Sequence, residues 1–400
     1  VPVGTAVHDR TLRLCESLNY REWSGYFAVS AYEAHHHHEY NAIRNAAALI
    51  DISPLYKYQI TGPDAGRLAD RIVTRDMGRV AVGQIAYVVW CDDRGKVVDD
   101  GTISRLDEDR YRWTAADPSL RWILGNGEGL RAEVEDVSRS VAALALQGPT
   151  SGRLLARMIG GEISALRYFR VMRASIGGVA VEISRNGYTG DLGYEIWVPW
   201  NEAGRVWDAL MEEGRPFGIR AAGMLALDVA RIEAGLLLIE IDYISARRAI
   251  IEDQKSSPFE LGLGRLVHLD KQPFIGRAAL AEEARRGPAR RLVGLEVNWS
   301  DVERIHGRIG LPPTAPARAS REAVPVYRGG EQIGKATSTT WSPVLKKMIA
   351  LATVRSEHAD PGTDLQFEIT VEATRYKAGA HVVPLPFFNP PRKTEHPLAG

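Results

Sequence analysis

The feature that most constrains this chain is a change of pattern near residue 288. Before it, strand-like and helix-like stretches alternate. Ile85 to Trp90 reads as a strand, Asp92-Asp93-Arg94-Gly95 as a hairpin turn and Lys96 to Ser104 as the returning strand. Gly62-Pro63-Asp64 is a turn and helix N-cap, after which Leu68 and Ile72 repeat at helical spacing. Val141 to Leu146 and Val179 to Ser184 read as strands, and Gln147-Gly148-Pro149-Thr150 caps a helix bearing Leu154, Leu155 and Met158. Glu202 to Glu213 and Ala221 to Ala234 read as helices stopped by Gly214 and Gly235. A helix over Arg277 to Arg286 ends at Gly287. Beyond it only strands are expected, at Arg291 to Val297, Val324 to Lys335, Ile349 to Val354 and Leu365 to Ala373, with Gly329-Gly330 as a hairpin signal. The pattern therefore divides into a mixed unit over residues 1–287, an all-β unit over 288–383 and a proline-rich tail over 384–400 lying along the surface.

A chain of 400 residues suits two to three units of roughly 100–200 residues each. Lys+Arg and Asp+Glu both number 50, so there is no basic excess of the kind that nucleic acid or an anionic membrane would select. Apolar runs are short, as at Leu236 to Ile239, against the ~20 residues a spanning helix needs. The start lacks a basic stretch followed by an apolar one, and two cysteines, Cys15 and Cys91, make no disulfide framework. A cytoplasmic location is expected. The run His35-His36-His37-His38 leads into a helical pattern, Tyr40-x-x-Ile43. Consecutive helical residues point about 100° apart, so the run is expected on a helix face, with no metal site.

Three segments could carry chemistry. Asn186 to Glu195 holds Gly187, Gly190 and Gly193 between two strands, a tight loop whose backbone could approach a ligand. Glu195 then lies on a half-exposed strand over Gly193 to Val198, and its two oxygens suit a heterocycle edge with adjacent N–H donors, as a pterin offers. The segment could equally be an ordinary hairpin. Asp99 and Asp100 face opposite sides of one strand, so one could enter a pocket while the other meets water or caps a turn. Arg231, at a helix end, could bind an anionic tail or pair with Asp228 or Glu233 at the surface. Dinucleotide, P-loop, nucleophile-elbow and His-Glu-x-x-His patterns are missing.

Taken in order, the segments resemble the aminomethyltransferase (glycine cleavage T-protein) family. Asn41-Ala42-Ile43-Arg44 with Leu49-Ile50-Asp51-Ile52-Ser53, Tyr87 with Gly95-Lys96-Val97-Val98-Asp99-Asp100, and Leu146-Gln147-Gly148-Pro149 are similar to its early elements. Gly187-Tyr188-Thr189-Gly190, Gly193-Tyr194-Glu195, Arg231 to Gly235, Phe274-Ile275-Gly276-Arg277 and Thr337-Ser338 through Trp341-Ser342-Pro343 continue the series. The resemblance implies an α+β fold of three subdomains around a central folate site, the last a β-barrel. It implies tetrahydrofolate as cofactor, with Glu195 holding the pterin, Tyr87 and Tyr188 lining it, and Arg231 and Trp341 also binding it. It implies a catalytic carboxylate at the Asp99-Asp100 pair, with Asp99 the expected one.

Two departures, Leu227 where the family carries arginine and Arg265 where it carries tryptophan, lie where substrate or the folate tail is expected. They suit a relative acting on a small methylated compound rather than on an aminomethyl group carried by a lipoyl protein. True glycine cleavage and a non-catalytic folate-binding module are the alternatives. The flavin-dependent relatives imply that an oxidative route would need an oxidoreductase partner.

Overall fold

The computed structural model describes residues 1–395; residues 396–400, the end of the expected tail, lie outside the described residues. Two sheets and a barrel organise the chain. The first sheet has six strands in the order Val171–Ile176, Val179–Ser184, Gly193–Pro199, Val141–Gln147, Ala47–Asp51 and Ile219–Ala221, antiparallel except for the last pair. One face carries Leu144, Leu146, Tyr194, Ile196 and Val198 and is covered by helices Ser151–Ile159 and Ala203–Glu213. The other carries Ala143, Ala145 and Trp197 and meets helices His37–Asn45 and Met224–Glu233. Trp197 is 4% exposed. The half-exposed strand expected here is thus buried on both faces, because its second face looks inward at the rest of the protein rather than at water.

The second sheet has five strands in the order Ile85–Cys91, Val97–Asp107, Arg110–Ala115, Tyr56–Thr61 and Glu133–Asp136. Strict alternation sorts its side chains. Tyr58, Ile60, Val88, Trp90, Ile103 and Trp113 fill a core under helices Ala65–Ile72 and Leu120–Gly125. Trp90 and Trp113 meet edge to face at 5.0 Å. The opposite face carries Tyr87, Asp100, Thr102, Arg112 and Thr114, by the pairings Tyr87↔Thr102, Val89↔Asp100, Thr102↔Thr114 and Ser104↔Arg112. Between Trp90 and Cys91 the register shifts, so that Val98 is an extra residue, a β-bulge at the start of Val97–Asp107.

Six strands from Arg290–Val297 to Thr374–Val383 close a barrel, whose interior holds Val293, Leu295, Val326, Ala352, Phe367 and Val382. Its outer residues Ile349 and Leu351 pack with the helix Met224–Glu233. A helix, Trp299–Gly307, falls within the stretch where only strands are expected; Asn298 caps it, accepting from Asp301 N. The tail does more than lie on the surface. Phe388 N donates to Glu233 O at 2.8 Å, and Arg392 Nε meets Asp191 Oδ1 at 2.6 Å. There it joins a buried network in which Arg44 pairs with Glu233 at 2.6 Å and Asp191 at 3.3 Å and lies over the Phe388 ring. Among the described residues no helix is long and apolar enough to cross a membrane.

Candidate active site

The polar face of the five-stranded sheet, the loop 186–193 and the segment 236–243 come together around Asp100, and the region where they meet is the candidate cleft. Asp100 is at its centre. Its Oδ2 accepts from the Tyr87 hydroxyl at 2.7 Å, and its Oδ1 accepts from the Tyr243 hydroxyl. Tyr188, beside Tyr87 and Asp100, donates its hydroxyl to Leu237 O. Burial pushes the Asp100 carboxyl above its ordinary range, and the two phenols pull it part of the way back. The result is a carboxylate fixed in direction and readier than usual to hold a proton.

Asp99, the residue expected to be catalytic, points the other way. It is 0% exposed, on the face of Trp90 and Trp113. Its Oδ1 accepts from Asp100 N at 2.8 Å and its Oδ2 from Asp117 N at 3.1 Å. Both oxygens are spent on backbone, so Asp99 is a turn anchor, and burial followed by the Asp100 charge drives its pKa well up. Within the pair, Asp100 is on the side of Tyr87 and Asp99 is on the side of Trp90.

Glu195 faces the inner side of its strand with Trp197. Burial raises its pKa to about 6, while the neighbouring Asn186 amide and Arg112 guanidinium favour its charged form. The glycines before it serve packing rather than close approach of a ligand. A Cβ on Gly187 or Gly193 would lie 2.1 or 2.2 Å from the Gln147 amide, which fills that space. Gln147 Nε2 donates to Asn186 O at 3.3 Å and Tyr194 O at 3.2 Å, and its Oε1 accepts from Thr189 Oγ1 at 2.7 Å. Gln147 thus sets the loop that presents Glu195.

Two further expected binding residues are elsewhere. Arg231 is 0% exposed, and its guanidinium is taken up by Asp242, by Ser338 Oγ at 2.8 Å and by Leu236 O at 3.3 Å. It is neither at the surface nor open to a ligand; it ties the helix end to the barrel. Trp341 packs edge to face on Trp299 at 4.9 Å, against the barrel core. The next residue, Ser342, donates to Glu233 Oε1, so alternation turns Trp341 away from the helix Met224–Glu233 and from the cleft. Of the two departures, Leu227 is a half-buried residue of that helix and packs against the core, whereas Arg265 is exposed and close to Arg75, Tyr87 and Tyr168.

Sequence reasoning missed Tyr243 and Arg112. Tyr243 lies 143 residues from Asp100, with no local signal. Arg112 was accessible in principle: Arg110, Arg112 and Thr114 alternate with Tyr111, Trp113 and Ala115. Among the described residues no cluster of three or more potential metal ligands occurs, at the histidine run or elsewhere. His36 is buried, His35 and His37 stack, and His38 faces Glu33.

Against this geometry, comparison with known proteins is decisive. Residues 15–271 match the family model of the GCVT N-terminal domain, and residues 307–389 match that of the glycine cleavage T-protein C-terminal barrel domain. The chain belongs to the glycine cleavage T-protein family. It is 36% identical over 400 residues to a trimethylamine-oxide aldolase of Ruegeria pomeroyi, covering 96% of this chain but 47% of that protein. It is 34% identical to an aminomethyltransferase of Halothermothrix orenii, covering 87% of this chain and 90% of that one. An aminomethyltransferase of Symbiobacterium thermophilum is 36% identical over 89% and 90% of the two chains. The glycine cleavage aminomethyltransferase T of Bartonella henselae superposes with a TM-score of 0.80 at 22% identity, over 97% of this chain and 99% of that one, which shows the T-protein fold. The T-protein family is one of folate-dependent one-carbon transferases.

Proposed function

We propose that this chain is a tetrahydrofolate-dependent transferase that takes a methyl or aminomethyl unit from a small donor, with Asp100 as its catalytic carboxylate and Glu195 as its pterin anchor. The observation that carries the reading is the Asp100 carboxylate, held between two phenols on the sheet face that also carries Arg112, the neighbour of Glu195. The residues present fit the cofactor: a partly buried carboxylate at one end of the cleft suits adjacent N–H donors, and a second carboxylate at the other end suits an amine. When bound, tetrahydrofolate supplies the N5 amine that receives the one-carbon unit. Tyr87 and Tyr243 fix the direction of Asp100, and burial makes it a competent acceptor for the amine proton as the donor's bond to carbon breaks. Tyr87, Tyr188 and Tyr243 wall the site and restrict water around the two reactants.

A small methylated donor is supported by Arg265, an exposed cation where T-proteins carry tryptophan, and by the likeness to a trimethylamine-oxide aldolase. The likeness to aminomethyltransferases along nearly their whole length favours a second reading, transfer from a carrier-bound aminomethyl group.

Calorimetric titration with tetrahydrofolate, wild type beside Glu195→Ala, tests the cofactor. Micromolar binding abolished by the substitution is expected, and a wild type that binds no folate sinks the reading. Turnover with methylated amines, against turnover that requires a lipoylated carrier, separates the two donors.

A further inference from the structure

We propose that Arg112 and Asn186 read the two ends of the pterin's pyrimidine edge on either side of Glu195, Arg112 donating to the 4-oxo oxygen and Asn186 accepting from the 2-amino group. This rests on the reading of the cleft as a folate site.

Arg112 is 5% exposed, and its guanidinium lies 4.2 Å over the Trp197 ring. Its Nη1 pairs with Glu182, yet its Nε and Nη2 have no hydrogen-bond partner. Burying donors without acceptors is costly, and folded chains rarely tolerate it without a reason. Arg44 satisfies Nε, Nη1 and Nη2 alike, donating to Glu233, Asp191, Thr189 O and Ala230 O, and Arg231, Arg105 and Arg185 each leave Nε alone without a partner, whereas Arg112 leaves two nitrogens. Arg112 keeps two nitrogens in reserve beside the carboxylate proposed to hold the cofactor. Asn186 is 7% exposed, and its Oδ1 is likewise without a partner.

The order of these groups along the strand Gly193–Pro199 gives the pattern its meaning. Asn186 is at the Gly193 end, where Gln147 bonds both Asn186 O and Tyr194 O. Arg112 is at the Trp197 end, and Glu195 stands between them on the face it shares with Trp197. The sequence across the cleft is therefore acceptor, carboxylate, donor. A reduced pterin presents its 2-amino group, N3–H and 4-oxo oxygen consecutively, which is donor, donor, acceptor. With Glu195 taking N3–H and one 2-amino hydrogen, the second amino hydrogen faces Asn186 Oδ1 and the 4-oxo oxygen faces the free nitrogens of Arg112. The pairing Ser104↔Arg112 also puts Arg112 and Asp100 on one sheet face, four residues apart along Val97–Asp107 or about 13 Å at ~3.3 Å per residue, room for the bicyclic ring and the flanking side chains.

The test is calorimetry on the full chain with tetrahydrofolate and its 4-amino-4-deoxy analogue, in which an amine replaces the 4-oxo acceptor and N3 loses its hydrogen, so that the wild-type preference combines the Arg112 and Glu195 contacts and the Arg112 share is read from the variant. The wild type is expected to favour the 4-oxo form by about 100-fold, since a site built to hydrogen-bond one group rejects an analogue that leaves its donors unpaired. Arg112→Met, checked for folding by near-UV circular dichroism, is expected to reduce that preference to about tenfold or less. Glu182→Gln, which removes only the ion pair, is expected to leave the preference intact. Asn186→Ala is expected to lower the preference for the 2-amino over the 2-methyl-2-desamino compound by about tenfold, the remainder belonging to the Glu195 contact. A wild type that binds the 4-oxo and 4-amino forms equally overturns the proposal even if Arg112→Met fails to fold, as does an Arg112→Met protein with the wild-type ratio. Loss of all folate binding by the wild type instead overturns the folate reading on which the proposal rests.

Discussion

The Tyr87 hydroxyl lies 2.7 Å from Asp100 Oδ2, although the two residues are not directly opposed: Tyr87 faces Thr102, and Asp100 faces Val89. The contact is diagonal, within reach only because Tyr87 is long and shares the cleft face with Asp100. The adjacent carboxylate has a different task, so the two aspartates are expected to fail differently. Asp100→Asn should lower turnover by roughly 10²–10⁴-fold while tetrahydrofolate still binds. Asp99→Ala removes the acceptor for two backbone N–H groups and should cost about 2–5 kcal/mol of stability in chemical denaturation. A stable Asp99→Ala protein with Asp100→Asn kinetics would reverse the assignment.

Glu195 makes binding and stability respond to pH in opposite senses. Its pKa rises from 4.5 to about 6 on folding, so the folded chain holds this proton more tightly than the unfolded chain does. The stability it contributes is fully present below pH ~4.5, falls as pH rises through about 6 and reaches a loss of about 2 kcal/mol above that. Glu195→Gln should remove this slope and stabilise the free protein at pH 8. Folate affinity of the wild type should instead weaken below pH ~6, where the protonated carboxyl can no longer accept twice. Urea melts and calorimetry across pH 4.5–8 check both arms; a flat wild-type stability profile for this group would count against the shift.

Arg231 should behave as a structural residue. Arg231→Ala leaves Asp242 buried, still accepting from Thr337 and Ser338 hydroxyls but without its cation. A loss of about 3–5 kcal/mol is expected. A variant as stable as wild type but raised only in KM for folate would return Arg231 to the binding site.

Gln147 and Gly187 should couple. Gly187→Ala drives a Cβ into the Gln147 amide, 2.1 Å from Oε1, so it should destabilise the loop and weaken folate binding by way of Glu195. Shortening the obstacle in Gly187→Ala/Gln147→Ala should recover part of that loss, giving a non-additive double-mutant cycle. Simple additivity would mean that the amide does not set the loop.

The alternating patterns that define the strands and helices around the cleft were legible because period-two and period-3.6 burial is a local property. Val97–Asp107, Gly193–Pro199 and Arg277–Arg286 fall close to their expected bounds for that reason. The division of labour between Asp99 and Asp100 was not legible, since alternation says that they differ without saying which side is core; Trp113, from the next strand, decides it. The surroundings of Arg231 and Trp341 were not legible because they are built by residues more than 100 positions away or by the helix Trp299–Gly307, which the strand-like surroundings concealed. Tyr243 escaped for a similar reason: its partner is defined only when the segment after Gly235 folds back over the sheet.

The bulge at Val98 bears directly on which aspartate reaches the cleft. Opposite Cys91 and Trp90 the strand Val97–Asp107 spends one residue more than its neighbour, and that single residue fixes the parity of everything after it. Were the bulge flattened with Val98 kept in the ladder, Val98 would face Trp90 and Asp99 would face Val89, taking the side of Tyr87 while Asp100 turned inward beneath the tryptophans. Two chemically identical neighbours are thus told apart by counting alone, so deletion of Val98 should leave Asp100 opposite Val89 and on the side of Tyr87, with both aspartates keeping their present partners.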